Sequence, residues 1–263
     1  MNVAYAKVRE SKTPAVPLKG QWLDLGSRAF DVLSILGALV LMAVALAFDL
    51  ILTPNIVITI GQERVGLLAM RIFYIHVPSA WIAYLAFFLV MLCSIAYLAT
   101  RDRKWDIYAH GCAEVGILFC TAVLITGPIW AKPIWGVWWT WDARLTLTLI
   151  LWFIYAAYLM IRAQDLEIEK KARYSAVVGI VGALSIPINH FSVKLWRTLH
   201  PQPVVVTEGR IGSGLEDPMF LVALGLTILA FLATFAALLR QRIALEELRD
   251  ETERLRLRLE ERA

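Results

Sequence analysis

Five of the ten tryptophans, Trp130, Trp135, Trp138, Trp139 and Trp141, fall within twelve residues. The stretch reads Trp130-Ala-Lys-Pro-Ile-Trp135-Gly-Val-Trp138-Trp139-Thr-Trp141-Asp142-Ala-Arg144-Leu-Thr146. Two readings are open. Tryptophan favours the membrane interface, so the plain reading is part of an aromatic belt. A belt, however, is spread over many helix ends and does not demand one dense block. The sharper reading is a flat aromatic shelf for a large planar apolar ligand, since indole offers a wide face and one N–H donor. Gly136 would let backbone come close to such a ligand. Asp142 can cap a helix that starts just after it. Asp142 or Arg144 could equally orient the loop or meet a polar ligand group. The chain has four histidines, His76, His110, His190 and His200, and a neutral imidazole is a ready metal ligand.

These residues need elements to hold them, and composition says which kind. Of 263 residues, 59% are hydrophobic and only 18% charged, with mean hydropathy +0.64. That bias argues against a soluble domain and against disorder, and points to several membrane spans. Six apolar runs follow: Phe30–Leu52, Val77–Thr100, Gly111–Trp130, Leu145–Ile161, Tyr174–Asn189 and Met219–Leu239. Each is near the roughly 20 residues a helix needs to cross about 30 Å of hydrocarbon. The first run reads as a span and not a cleavable signal, being too long for an h-region and lacking a small-residue cleavage site.

Lysine and arginine then set the orientation. Nineteen of the 26 lie in the two tails and the loops 101–110 and 162–173, and seven on the other side. Basic residues collect on the cytoplasmic face. The expectation is an all-α polytopic membrane protein of six transmembrane helices with both termini cytoplasmic. A cytoplasmic tail spans 1–29, the helical domain 30–239 with its outer Trp-rich loop at 130–144, and a charged helical tail 240–263. In that tail Leu248, Leu255 and Leu259 share a face, which suits either a partner or a solvated extension of the sixth helix. No internal repeat or inverted symmetry is visible.

With this topology His76 and His190 lie on the outer face at the depth of the tryptophan loop. Pro78 suits the first turn of the second helix. A wetted side chain is the plain reading of an interfacial histidine. Two imidazoles at one level could instead grip one metal from opposite sides, with a porphyrin against the aromatic block. His200 is also outside, as a substitute ligand or docking residue, while His110 is on the opposite face. Arg71, Lys132, Arg144, Lys194 and Arg197 could pair with carboxylates. For Arg71, five residues before His76, a lipid-headgroup contact is the competing reading. Cys93, Cys112 and Cys120 form no CxxC motif and read as small packing residues. No GxSxG, HExxH or P-loop motif occurs. Asp31, Asp49 and Glu114 are the few ionisable residues in the runs, and all lie near run ends, which counts against a proton-coupled transporter.

The segment Trp135–Thr146 resembles the tryptophan-rich signature of the haem-handling proteins of cytochrome c maturation. Six spans fit the CcmC type better than the larger CcmF and CcsA types. Phe73-Tyr-Ile-His76-Val-Pro78, Ile188-Asn-His190-Phe-Ser and Trp196-Arg-Thr-Leu-His200 are similar to CcmC sequences around the two ligand histidines. The resemblance covers roughly 31–239. It implies haem b at the outer face of a bacterial inner membrane, with His76 and His190 as axial ligands. Trp135, Trp138, Trp139, Trp141 and Asp142 would be the haem-contacting loop, with Arg71 and Arg144 as further contacts. It also implies a CcmE-type periplasmic chaperone that takes the haem, a CcmA–CcmB ABC transporter and a small CcmD-type protein. The role is haem transfer, not catalysis. The alternatives are a haem lyase and a non-haem solute transporter whose tryptophan loop is merely interfacial.

Overall fold

The computed structural model describes residues 25–52, 58–60, 63–65, 71–196, 198–200, 206–207, 210–211 and 218–260. The N-terminal tail before 25, Arg197 and much of the connection between residues 196 and 218 lie outside the described residues. Among those described, six helices are long and apolar enough to cross a membrane. They are α1 Leu25–Leu52, α2 Phe73–Thr100, α3 Arg103–Trp135, α4 Ala143–Ala163, α5 Ile168–Leu195 and α6 Pro218–Glu260. The chain is a multi-pass membrane protein, as the apolar runs predict.

Every helix outruns its apolar core at one end or both, because charged and aromatic residues continue a helix as long as the backbone bonds are made. The expected loop 130–144 is therefore shorter. Trp130–Trp135 are the last residues of α3, and only Gly136–Asp142 connect it to α4. Likewise α2 starts at Phe73 and not Val77, so Pro78 sits inside it and not in its first turn. The 43 residues of α6 extend about 64 Å at 1.5 Å per residue, twice the hydrocarbon thickness. The charged stretch after Leu239 therefore projects beyond the span as the same helix.

Two hairpins that apolar patterning does not predict occupy the long connections. In the α1–α2 connection β1 Ile58–Ile60 pairs antiparallel with β2 Glu63–Val65. In the α5–α6 connection β3 Val206–Thr207 pairs with β4 Arg210–Ile211. Alternating helix directions bring both to the end of the bundle that carries the tryptophan loop.

Lipid is as apolar as leucine, so helices associate by close packing and not by hydrophobic exclusion. Small residues make the approach possible. A Cβ on Gly116 of α3 would meet the Phe87 ring at 2.7 Å, and one on Gly179 of α5 would meet Val90 at the same distance. Between them Phe87 of α2 stacks on Tyr155 of α4 at 3.6 Å and 7°. The Tyr155 hydroxyl lies 3.0 Å from the Gly179 carbonyl and 3.3 Å from that of Phe87, so one side chain joins three helices. Cys112 and Cys120 are free and buried in this core, in keeping with packing. Large apolar side chains such as Leu33, Leu39, Phe153, Met160 and Leu184 face outward, as lipid contact requires.

Ion pairs gather at the opposite end. Arg162 donates to both Asp106 oxygens at 2.7 and 2.9 Å, and Arg103 joins Asp106 to Asp250. His110 stands between Glu114 and Glu246. Arg240 pairs with Asp31, and Arg242 with Glu114. The acids noted in the apolar runs, Asp31 and Glu114, are therefore tied structurally to α6.

Candidate functional site

His76 sits in the first turns of α2. The Ile72 carbonyl accepts from the backbone N–H of both Ile75 and His76, at 3.1 and 2.8 Å, which tightens the helix entry. The imidazole is 9% exposed because α3 offers it a fitted surface. Nδ1 lies 2.8 Å from the Thr126 hydroxyl oxygen. A Cβ on Gly127 would stand 3.3 Å from the ring's Cε1, so glycine allows the ring to lie against the α3 backbone. Trp130 meets it edge-on at 5.6 Å. Residues 126, 127 and 130 share one helix face by the i, i+3/i+4 rule. Sequence reasoning missed Thr126 and Gly127, since a Thr-Gly pair in an apolar run carries no signal by itself.

The tryptophans divide by position. Trp130 and Trp135 ride the last turns of α3. Gly136 ends that helix with φ 74°, its N–H bonded to the Lys132 carbonyl at 3.0 Å, a left-handed cap that favours glycine. No residue lies within 4 Å of a Cβ built there, and the positive φ is what favours glycine. The Lys132 ammonium donates to the Gly136 carbonyl at 2.8 Å, which engages this cation too. Beyond the cap, Trp138 and Trp141 are 57% and 76% exposed. Trp139 is half-buried and meets Trp141 edge to face, 5.7 Å apart at 78°. These two rings are steeply inclined to each other and so do not form one flat face.

Asp142 is the N-cap of α4. One carboxylate oxygen accepts from the Leu145 N–H at 3.0 Å, the other from the Thr140 hydroxyl at 3.2 Å. Both oxygens hold the loop. Arg144, the second residue of α4, reaches across to α5 and donates to the backbone carbonyls of Asn189 and His190 at 3.1 and 3.0 Å. Asn189, 1% exposed, donates to Thr148 at 3.1 Å. Arg144 and Thr148 therefore latch α4 onto the turn of α5 that carries His190. Thr148 and Asn189 had no signal in the sequence beyond proximity to Arg144 and His190.

His190 itself is exposed and edge-on to Phe191 at 5.2 Å. Arg144 is bonded to the His190 carbonyl, and His76 packs on Trp130 at the end of α3 that leads into the loop before Arg144. The fold thus brings His76, Arg144, His190 and His200 to one end, with His76 enclosed and His190 open. Arg71 is half-buried just ahead of α2 and engaged in an interaction of its own. His110 lies in the ion-pair cluster at the other end, as the topology predicts. Four buried polar atoms near the tryptophan end lack a hydrogen-bond partner among the described residues: Nε1 of Trp130 and of Trp139, Oγ1 of Thr146 and Oδ1 of Asn189. Such atoms cost free energy unless something meets them.

Comparison with known proteins bears on what meets them. The family model described as heme exporter protein C, CcmC, matches residues 20–258. The chain is 38% identical over 170 residues to the heme exporter protein C of Bradyrhizobium diazoefficiens, covering 64% of this chain and 63% of that protein. It is 33% identical over 190 residues to the heme exporter protein C of Haemophilus influenzae, covering 71% and 74%. With the Escherichia coli heme exporter protein C it shares 32% over 130 residues, covering 49% and 53%. The matched stretch thus spans just under two thirds of the Bradyrhizobium protein's length and about half of the Escherichia coli protein's.

Proposed function

The chain belongs to the heme exporter protein C family, and on that premise we propose that it holds haem b as cargo at the tryptophan end of the bundle and surrenders it for cytochrome c maturation. That end faces the periplasm of a bacterial inner membrane, with both termini cytoplasmic, a reading supported by the 19 to 7 division of basic residues. The recipient is a CcmE-type chaperone, and a CcmA–CcmB transporter with a CcmD-type protein completes the system, as the family resemblance implies.

One observation carries the reading: two histidines from different helices stand at the end with the exposed tryptophans, His76 packed on Trp130 and His190 on the turn whose carbonyls accept from Arg144. Haem brings an iron that takes two imidazoles and a wide apolar ring with two carboxylates. The residues fit each part. Nε2 of His76 has no hydrogen-bond partner among the described residues. Trp135, Trp138, Trp139 and Trp141 offer aromatic surface, and the unpartnered Nε1 donors of Trp130 and Trp139 suit a carboxylate. Asp142 holds the loop in shape. Arg144 positions His190 and, with Arg71, adds positive charge for carboxylates. The two ligands are unequal: His76 is enclosed and retains, while exposed His190 is open to displacement by a partner. Transfer needs such an imbalance, because two equally locked ligands would hold the cargo too well.

The visible spectrum of the purified full chain tests this. Haem supplied to it is expected to give a low-spin, bis-histidine haem b, and His76→Ala or His190→Ala to weaken retention. An unchanged spectrum and haem content in both variants overturns the ligand assignment. Cytochrome c formed with only this chain, haem and apoprotein present would make it a lyase instead.

A further inference from the structure

We propose that Thr126 is a positioning residue that fixes His76 as its Nδ1–H tautomer, leaving the Nε2 lone pair for the iron. Two short contacts meet at one hydroxyl. Thr126 Oγ1 lies 2.7 Å from the Ala122 carbonyl oxygen, one turn back in α3, and 2.8 Å from His76 Nδ1. A hydroxyl has one proton, and a carbonyl can only accept.

If that proton pointed at the ring, the two oxygens would face each other at 2.7 Å with no hydrogen between them, lone pair against lone pair. If it goes to Ala122, the ring must supply the other proton, and each contact then holds one. The second arrangement wins, so Nδ1 carries the hydrogen. A neutral imidazole has a single N–H, so Nε2 is the basic nitrogen. Gly127 and Trp130 keep the ring in place: a side chain at 127 would crowd Cε1 at 3.3 Å, and Trp130 closes another side. A ligand histidine whose other nitrogen donates a hydrogen bond is both oriented and made more basic.

This rests on His76 being an iron ligand, but the tautomer can be read with no haem present. In ¹⁵N-histidine-labelled full-length protein in nanodiscs, long-range ¹H–¹⁵N correlation should show the His76 ring as Nδ1–H, the signal being assigned by its loss in His76→Ala. Thr126→Val keeps the shape but removes the acceptor, and the ring should shift towards Nε2–H. Thr126→Ser should restore the wild-type pattern, which a merely space-filling role would not require. Haem retention should fall about 10- to 100-fold in Thr126→Val and recover in Thr126→Ser, and the haem midpoint potential of the valine variant should rise, since a less basic imidazole favours ferric iron less. An Nε2–H ring in the wild type, or the same tautomer in Thr126→Val, overturns the proposal. A tautomer that responds as expected while His76→Ala leaves the haem spectrum untouched upholds the Thr126–His76 contact and overturns the iron-ligand role instead.

Discussion

Arg144 offers the most exacting test of how the site is held. Its guanidinium donates to the carbonyls of Asn189 and His190 at 3.1 and 3.0 Å, so Arg144→Gln should loosen the turn of α5 that presents His190. A hydrogen bond involving a charged group contributes about 1.5–3 kcal/mol. The arginine is half-buried, so solvent competes, and the lower part of that range applies to the pair together. A loss of about 1.5–2 kcal/mol corresponds to haem held roughly 10- to 30-fold more weakly. The assay is the rate of haem transfer from the purified protein to apomyoglobin, followed in the Soret band. The cause is separated by a double-mutant cycle with His190→Ala. If Arg144 acts through His190, Arg144→Gln adds little once His190 is gone. Full additivity of the two losses would refute this and place the arginine on the haem carboxylates. Haem dimethyl ester then decides, because a carboxylate contact vanishes with the ester whereas the α5 latch does not.

Three further outcomes are expected. Trp138→Ala with Trp141→Ala removes two exposed rings, so thermal stability should stay within about 0.5 kcal/mol while haem loading falls; normal loading would assign the exposed rings to the membrane interface alone. Asp142→Ala loses the α4 cap and should cost about 1 kcal/mol together with some loading, whereas Asp142→Asn keeps the cap and should retain both. Loading lost in the asparagine variant at unchanged melting temperature would show direct contact between the carboxylate and the cargo. Gly179→Ala brings a methyl to 2.7 Å from Val90 and should destabilise the bundle by about 1–3 kcal/mol, read as a lower melting temperature; an unshifted transition would mean that α2 and α5 can separate at no cost.

Six spans were readable because lipid leaves a chain few choices: each crossing must satisfy its own backbone within about 20 apolar residues. The histidines, the tryptophan block and the cap at Asp142 were readable because their residue types carry the chemistry wherever they sit. Where α3 ends was not, because Trp130–Trp135 remain helical until the left-handed Gly136 turns the chain. The hairpins were not, because backbone pairing over two or three residues leaves no apolar pattern. Nor could sequence show that Trp139 and Trp141 meet edge to face. The deepest gap concerns partners. Thr126 is 50 residues from His76, and Arg144 is 46 from His190, and only the rotation and register of packed helices bring each pair together. Composition and periodicity thus determined what crosses the membrane and which groups could bind; tertiary packing alone decided that one histidine is enclosed and the other open.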